Sequence, residues 1–424
     1  MRENNNLVNR IDWGVVLLYF LLVGLGWLNI FAVVYDAQQD QSIFDTSLNS
    51  GKQLIWIATS VVLFAVIMLT DFRFYDSFAY FIYGGMILLL VFVLLFGTEV
   101  AGSKSWFSIG SFRLQPAEFA KFTTALAVAK FISTDSKLFY NLRPQIILFA
   151  IIGLPAILII LQGDTGTAMV FSAFLLAFYR EGFSPVLLGI GIAAAVLFIL
   201  TLFVPQLYLM IAVIVTAFLL IGINARKTKR IIVIGASAVA IMGVIFSVDY
   251  VITDVFKPHQ QNRIKALINP EGDPLGYGWN VTQSKIAIGS GGMWGKGFLE
   301  GTQTKFDFVP EQSTDFIFCT IGEEHGWFGS LLLITLFVLL LIRVTVIAER
   351  QKATFARVYG YSVAGILFFH FAVNIGMTIG LFPVVGIPLP FFSYGGSSLW
   401  AFTILLFILV KLDAHRMQIL TRAA

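Results

Sequence analysis

Long apolar runs, each closed by a short polar segment, follow one another along nearly the whole chain. A hydrocarbon layer about 30 Å thick is crossed by roughly 20 residues of helix, so runs of that length read as membrane spans. About twelve meet this measure: residues 13–35, 53–70, 75–96, 116–132, 145–161, 165–179, 185–204, 207–223, 231–251, 330–346, 359–381 and 398–410. The pattern predicts an all-α polytopic helical bundle embedded in a bilayer. The first run is too long for a cleaved signal and has no small-residue cleavage site after it, so it reads as a retained first helix. No linker, low-complexity tract or repeat of fixed period divides the chain, and residues 1–424 read as a single membrane domain.

Lys and Arg favour the cytoplasmic side of short loops, which orients the bundle. With the N-terminus inside, Arg2, Arg10, Arg73, Lys137, Arg143, Arg180, the cluster Arg226, Lys227, Lys229 and Arg230, then Arg350, Lys352, Arg357, Lys411, Arg416 and Arg422 all fall on one face. Both termini are then cytoplasmic. The opposite face receives segments 36–52, 97–115, the long loop 252–329 and the Pro/Gly-rich turn 382–397.

Composition closes off other classes. At 58% hydrophobic and 12% charged residues, the chain does not suit water. A single cysteine, Cys319, excludes an intramolecular disulfide and a cysteine-clustered metal site within the chain. Four scattered histidines, His259, His325, His370 and His415, support neither a histidine triad nor a metal centre, which leaves a carboxylate as the general base of any catalysis. The net charge of +4 says little until each cation is assigned a side, and no nucleic-acid partner is expected.

The outer face holds the candidate chemistry. Pro116 suits the first position of a helix, placing Glu118 and Lys121 on one face of the fourth span. They read either as an intramembrane ion pair that pins the helix or, with Lys104 and Arg113, as a cationic vestibule for a phosphate-like anion. Asp164, in the turn 162–167, reads as a helix N-cap or as a functional carboxylate. The loop 252–329 is too long and too aromatic, with Trp279, Trp294, Phe298, Phe306 and Phe308, to be idle or disordered. Its glycine-rich segment 289–297 fails the phosphate-loop spacing, since Gly297 stands where Ser or Thr would bind magnesium, so those glycines are expected to allow tight turns and close backbone approach. Ser313 or Thr314 is expected to cap a helix continuing into the tenth span, with Asp315 in its first turn. Asp315 then reads as a carboxylate favoured by the helix dipole or as a functional acid.

Segments 106–121, 273–276, 283–297, Thr314-Asp315-Phe316-Ile317-Phe318 and 383–397 together resemble the SEDS family (shape, elongation, division and sporulation) of cell-wall polymerases, with the landmarks in the same order. Segments 286–292 and 296–303 resemble its rod-shape branch more than its division branch. The resemblance implies a peptidoglycan glycosyltransferase that polymerises lipid II at the outer face of the bacterial cytoplasmic (inner) membrane for cell elongation, partnered by a class B penicillin-binding protein, with no organic cofactor. It makes Asp315 the essential acid and Trp106, Arg113, Glu118 and Lys121 part of the substrate region, with Lys52, Lys104, Asp164 and Lys296 completing the candidate substrate-binding set. Lys52 stands where many relatives carry Arg. Three apolar runs between Arg180 and Ile252, where the family has one, imply a core of about ten spans plus two extra helices.

The implied reaction displaces a lipid pyrophosphate, so it needs a base for the acceptor hydroxyl and positive charge for the leaving group. Asp315 is the expected base of an inverting transfer, with Lys104, Arg113 and Lys121 on the undecaprenyl pyrophosphate, Glu118 fixing Lys121, and a divalent cation (Mg or Mn) as a candidate aid. The lipid tail requires an apolar groove that the sequence does not locate. Two other classes fit parts of the pattern: a flippase or transporter of lipid-linked sugars using Glu118, Lys121 and Asp164, and a noncatalytic scaffold for the penicillin-binding protein.

Overall fold

The computed structural model describes residues 10–35, 42–100, 102–110, 112–134, 141–223, 227–250, 254, 261, 277–305 and 308–416. The sequence readings at Arg2, Lys137, Arg226, His259, Phe306, Arg422 and across 262–276 lie outside the described residues.

Apolar runs fold as the hydropathy pattern predicts. Helices α1 (Trp13–Val34), α2 (Asn49–Leu69), α3 (Phe72–Ser77) and α4 (Ala79–Phe96) precede three short strands, β1 (Thr98–Val100), β2 (Ser103–Ile109) and β3 (Phe112–Leu114). Then come α5 (Pro116–Thr134), α6 (Leu142–Leu161), α7 (Thr165–Met169), α8 (Phe174–Arg180), α9 (Pro185–Phe203), α10 (Gln206–Ile223) and α11 (Thr228–Tyr250). The chain closes with α12 (Tyr277–Ser290), α13 (Ile317–Glu324), α14 (Gly326–Glu349), α15 (Thr354–Thr378) and α16 (Gly396–Ala414). Among the described residues nine helices are long and apolar enough to cross a membrane: α1, α2, α4, α6, α10, α11, α14, α15 and α16. The architecture is that of an all-helical polytopic membrane protein.

Helix also forms over the other predicted runs, with differences that have physical causes. α5 carries Glu118, Lys121 and Lys130, which dilute its hydropathy, and most of it is buried in the bundle. Run 165–179 is not one helix: α7 passes through a tighter 3-10 turn, Val170–Ala173, into α8. The predicted run 75–96 breaks at Phe78 into α3 and α4, with Asp71 capping α3 through the Arg73 N–H. α15 stops before 381 because Gly380 turns left-handed (φ 80°) and the Leu381 N–H folds back to Gly376 O at 2.7 Å. Segment 97–115, for which the sequence predicted no regular element, holds a three-stranded antiparallel sheet in the order β1-β2-β3 with Thr98 opposite Trp106 and Ser108 opposite Arg113.

Contacts divide the chain into two units, Met1–Gly182 with Trp279–Ala424, and Phe183–Gly278. In the second, α11 packs against α9 and α10, and no residue of α10 is buried, an apolar surface suited to lipid. In the first, α15 and α16 form the centre, buried along most of their length, with α2, α5 and α14 packed around them. Without a hydrophobic force between helices in lipid, packing and interhelical hydrogen bonds hold such a bundle. Tyr19 Oη meets Thr403 Oγ1 at 3.0 Å and Trp400 donates to Thr59 at 2.9 Å. Ion pairs tie the helix ends on the face that the charge bias assigns inside: Arg350 with Asp413 and, at 3.1 Å, Asp12; Arg357 with Glu181 at 2.6 Å; Lys130 with Asp76 at 3.1 Å.

The described part of the long loop is ordered around its own small core, in which Val281, Ala287, Val309, Phe316, Cys319 and Val384 pack together. Its glycines serve close approach: a Cβ at Gly291 or Gly295 would stand 2.0 Å from the carbonyl oxygen of Gly322 or Glu324.

Candidate active site

The Pro/Gly-rich turn 382–397 is re-entrant, and two acidic segments close on it. On one side, a Cβ at Gly166 would lie 2.1 Å from Val385 O, so only glycine lets α7 come this near. On the other, Gly386 sits at φ 73° and a Cβ there would be 3.3 Å from Asp315 Oδ2. Asp164 and Asp315 therefore flank the same few residues of one turn.

Asp315 is half-buried and precedes α13 rather than standing in its first turn. The expected Ser313 or Thr314 cap is not made. Instead the N–H groups of Thr314, Asp315 and Phe316 all point to Glu311 O, at 3.1, 3.1 and 3.2 Å, around a left-handed Glu311 (φ 54°). The carbonyls of Ser313 and Thr314 accept from the Tyr394 N–H at 2.9 Å and from Ser393 Oγ at 2.6 Å. These two bonds to the re-entrant turn hold the Asp315 segment out of the helix.

Asp164 does cap α7: its Oδ1 accepts the Thr167 N–H at 3.0 Å. Its Oδ2 accepts from Gln115 Nε2 at 2.8 Å, while the Gln115 N–H donates to Ser397 Oγ at 3.1 Å and Ser397 donates to Arg113 O at 3.2 Å. This chain fixes the strand end bearing Arg113, whose side chain is exposed. Lys104 lies on β2, its ammonium donating to Leu95 O at 2.9 Å, and Trp106 lies on the same strand.

Glu118 and Lys121 form the expected ion pair, 2.9 Å apart and each only 2% exposed. Lys121 Nζ also meets His370 Nε2 at 3.0 Å and stands 4.6 Å from the centre of the Phe402 ring. This ammonium is enclosed in the bundle rather than open to a vestibule. Lys296 belongs to a separate clasp: it donates to Glu323 at 2.6 Å and to Thr302 Oγ1 at 2.7 Å. Glu323 also accepts the N–H groups of Thr302, Gln303 and Thr304 and both threonine hydroxyls. Burial would raise its pKa, but these donors win and hold it at about 2. Lys52 is half-buried near the start of α2, and its neighbour Gln53 accepts the Gly395 N–H at 3.2 Å.

Several residues that hold this site were given no role from sequence: His370 and Asn374 on α15, Ser397 and Glu323, whereas Gln53 and Gln115 stand in segments that matched the family's motifs. The signal for the first two was present, since a lone polar side chain inside an apolar span carries a desolvation cost unless it is bonded. Beside the site an apolar cavity of about 240 Å³ opens between α1 and the start of α14, lined by Leu25, Leu28, Phe298, Leu332, Leu333 and Phe392. Among the described residues no three His, Cys, Asp or Glu side chains group as a metal site.

A multi-pass helical membrane protein with a half-buried aspartate held against a re-entrant turn defines the class. The FtsW/RodA/SpoVE family model, described as a cell cycle protein, matches residues 13–208 and 179–418, and the chain belongs to this family, the one its motifs resemble. It is 32% identical to the peptidoglycan glycosyltransferase RodA of Treponema pallidum, over 97% of this chain and 99% of that one. It is 35% identical to the peptidoglycan glycosyltransferase MrdB of Escherichia coli K12, over 93% of each. The fold matches a chain from a solved peptidoglycan synthase complex with a TM-score of 0.70 at 25% identity, covering 96% of this chain and 99% of that chain. It also matches the crystal structure of the Thermus thermophilus rod shape determining protein RodA, with a TM-score of 0.61 at 23% identity, over 96% and 97% of the two chains.

Proposed function

We propose that this chain is a peptidoglycan glycosyltransferase that polymerises lipid II on the outer face of a bacterial cytoplasmic membrane, both termini inside, in cell elongation. Its relatives' activity and the full-length match in fold support this reading. The observation that carries it is the aspartate of the family motif, Asp315, held against the glycine of a re-entrant turn. The bundle is read as a ten-span family core plus two helices, of which the run α9 to α11 supplies the surplus, in a single membrane domain whose loop 252–329 bears the motif.

Asp315 takes the proton of the acceptor sugar hydroxyl as its oxygen attacks the donor anomeric carbon. The bond to the undecaprenyl pyrophosphate breaks on the opposite face, so configuration inverts and no glycosyl-enzyme forms. Arg113 and Lys104 meet the charge of the leaving group, and Arg113 presents a planar fork suited to phosphate oxygens. Lys121, enclosed with Glu118, is read as a brace. Trp106 and Lys52 remain candidates for the sugar and headgroup, and the cavity between α1 and α14 is a candidate for part of the tail. A magnesium-type ion, which accepts one carboxylate plus substrate phosphates and water, suits the single Asp315 carboxylate and would supply charge at the pyrophosphate. The partner is read as a class B penicillin-binding protein, in line with the synthase complex that contains the similar chain.

Purified protein with its partner, given labelled lipid II, should make a glycan ladder that Asp315→Ala abolishes while the protein stays folded. Equal ladders would remove Asp315 from the base role. Lipid II translocation in liposomes without any ladder would move the function to transport.

A further inference from the structure

We propose that Asn374 is a positioning residue for Asp315, braced by His370 one helical turn away. The inference rests on the reading of Asp315 as the base. Asn374 and His370 are polar residues inside the apolar helix α15, both fully buried. Such groups persist in a span when their hydrogen bonds are made. The Asn374 amide nitrogen and both His370 ring nitrogens bond groups outside α15, while Asn374 Oδ1 is buried without a partner among the described residues.

The Asn374 amide has two hydrogens and uses both. Nδ2 donates to Asp315 O at 2.9 Å and to Ile387 O at 2.8 Å. Neither carbonyl lies in a helix, and one nitrogen bonds both of them. It also ties the two walls of the site together, because Ile387 follows Gly386, the residue that faces Asp315 Oδ2. Holding Asp315 O and Ile387 O on one atom fixes how far the carboxylate stands from the turn.

His370 continues the clamp to the next residue. A carbonyl can only accept, so His370 Nδ1 donates to Pro388 O at 3.1 Å. Nε2 is then the acceptor for the Lys121 ammonium at 3.0 Å. Residues 370 and 374 lie on one face of α15. Ile387 and Pro388 are thereby held in succession by Asn374 and His370, next to the glycine that faces Asp315. A misplacement of about 1 Å at a reacting group costs on the order of 10²-fold in rate.

The test compares Asn374→Leu, which removes both donors, and Asn374→Asp, which keeps the shape, with wild type and Asp315→Asn, using the full chain in lipid nanodiscs with labelled lipid II. The expected result is a kcat lowered about 10- to 100-fold in Asn374→Leu with KM within about threefold. Asn374→Asp should lose activity at alkaline pH and regain it relative to wild type under acid, where a protonated carboxyl again donates to one carbonyl. Wild-type kcat in Asn374→Leu overturns the proposal. So does a loss without acid recovery in Asn374→Asp that tracks a fall in melting temperature, because that marks a structural role alone. Asp315→Asn separates the two readings: if it is inactive while Asn374→Leu is normal, only the positioning role falls. If Asp315→Asn still polymerises, the base reading falls first.

Discussion

Lys121 donates to one nitrogen of the His370 ring, 3.0 Å away, while the other nitrogen donates to Pro388 O, so a single imidazole links α5 to the re-entrant turn. The two halves of that link can be separated. An asparagine at 370 places its amide where Nδ1 stands and can still donate to Pro388, whereas glutamine reaches toward Lys121 and loses the turn. His370→Asn is expected to keep polymerisation within about fivefold, and His370→Gln to lose about tenfold or more, as for a reacting group shifted by a fraction of an ångström. Initial rates of lipid II consumption decide it. Equal losses in both variants would show that the contact to Lys121 matters as much as the contact to Pro388.

Lys296 reads from sequence as a substrate cation, but its ammonium is 2.6 Å from a carboxylate that is fully buried. Removing one partner from such a pair costs about 3–5 kcal/mol when the other charge is left uncompensated. The cost should be unequal here, because Glu323 retains three backbone N–H groups and two hydroxyls without Lys296. Lys296→Met should therefore lower the melting temperature slightly and leave KM for lipid II unchanged. Glu323→Leu, which orphans all those donors, should lower it far more. A several-fold rise in KM for Lys296→Met at unchanged stability would return Lys296 to the substrate.

The spans were legible because each needs only its own hydropathy, and Pro116 opening α5 or Asp164 capping α7 needs only neighbours in sequence. What was not legible depends on partners far along the chain. The start of α13 is set by Ser393 and Tyr394, which take the carbonyls of Thr314 and Ser313, and no local pattern announces that. Glu323 found Lys296 by the folding of a loop, not by helical spacing. His370 and Asn374 are visible as polar residues in an apolar run, but their partners are backbone carbonyls, which have no sequence signature. The sheet escaped because β1 and β3 are three residues each and the seven residues of β2, Ser103–Ile109, do not alternate apolar with polar.

Gly166 reports on how tightly the site is closed. Its Cα faces Val385 so closely that an added methyl would be 2.1 Å from a backbone oxygen, which cannot rotate away. Gly166→Ala must push α7 and the re-entrant turn apart, at a cost of about 1–3 kcal/mol typical of overpacking. Polymerisation should fall further than stability, since Val385 adjoins the glycine that faces Asp315. A thermal melt and a rate on the same sample test this. Wild-type rate with a lowered melting temperature would mean that the turn can move without disturbing the base.

Glu324 gives the outer loop a pH dependence of opposite sign to that of its neighbour. Burial, with the adjacent Glu323 charge as a lesser cause, raises its pKa to about 7, against the lowering influence of the Leu299 and Gly301 N–H groups and Lys305. Between the ordinary glutamate value and 7, the folded protein holds a proton that the unfolded chain has lost. The folded state is therefore favoured at the acid end, and stability declines as pH rises from about 4.5 to about 7, then levels off. Glu323, held at about 2, acts in the other window: its contribution is complete above about 4.5 and fades only as pH falls toward 2. Melting temperature followed from about pH 5 to 8 should thus slope downward in wild type, and Glu324→Gln should flatten that slope while leaving the acid end nearly unchanged. A variant whose curve still parallels wild type would show that Glu324 is ionised in the folded loop across the whole range, with Lys305 or the backbone donors outweighing its burial.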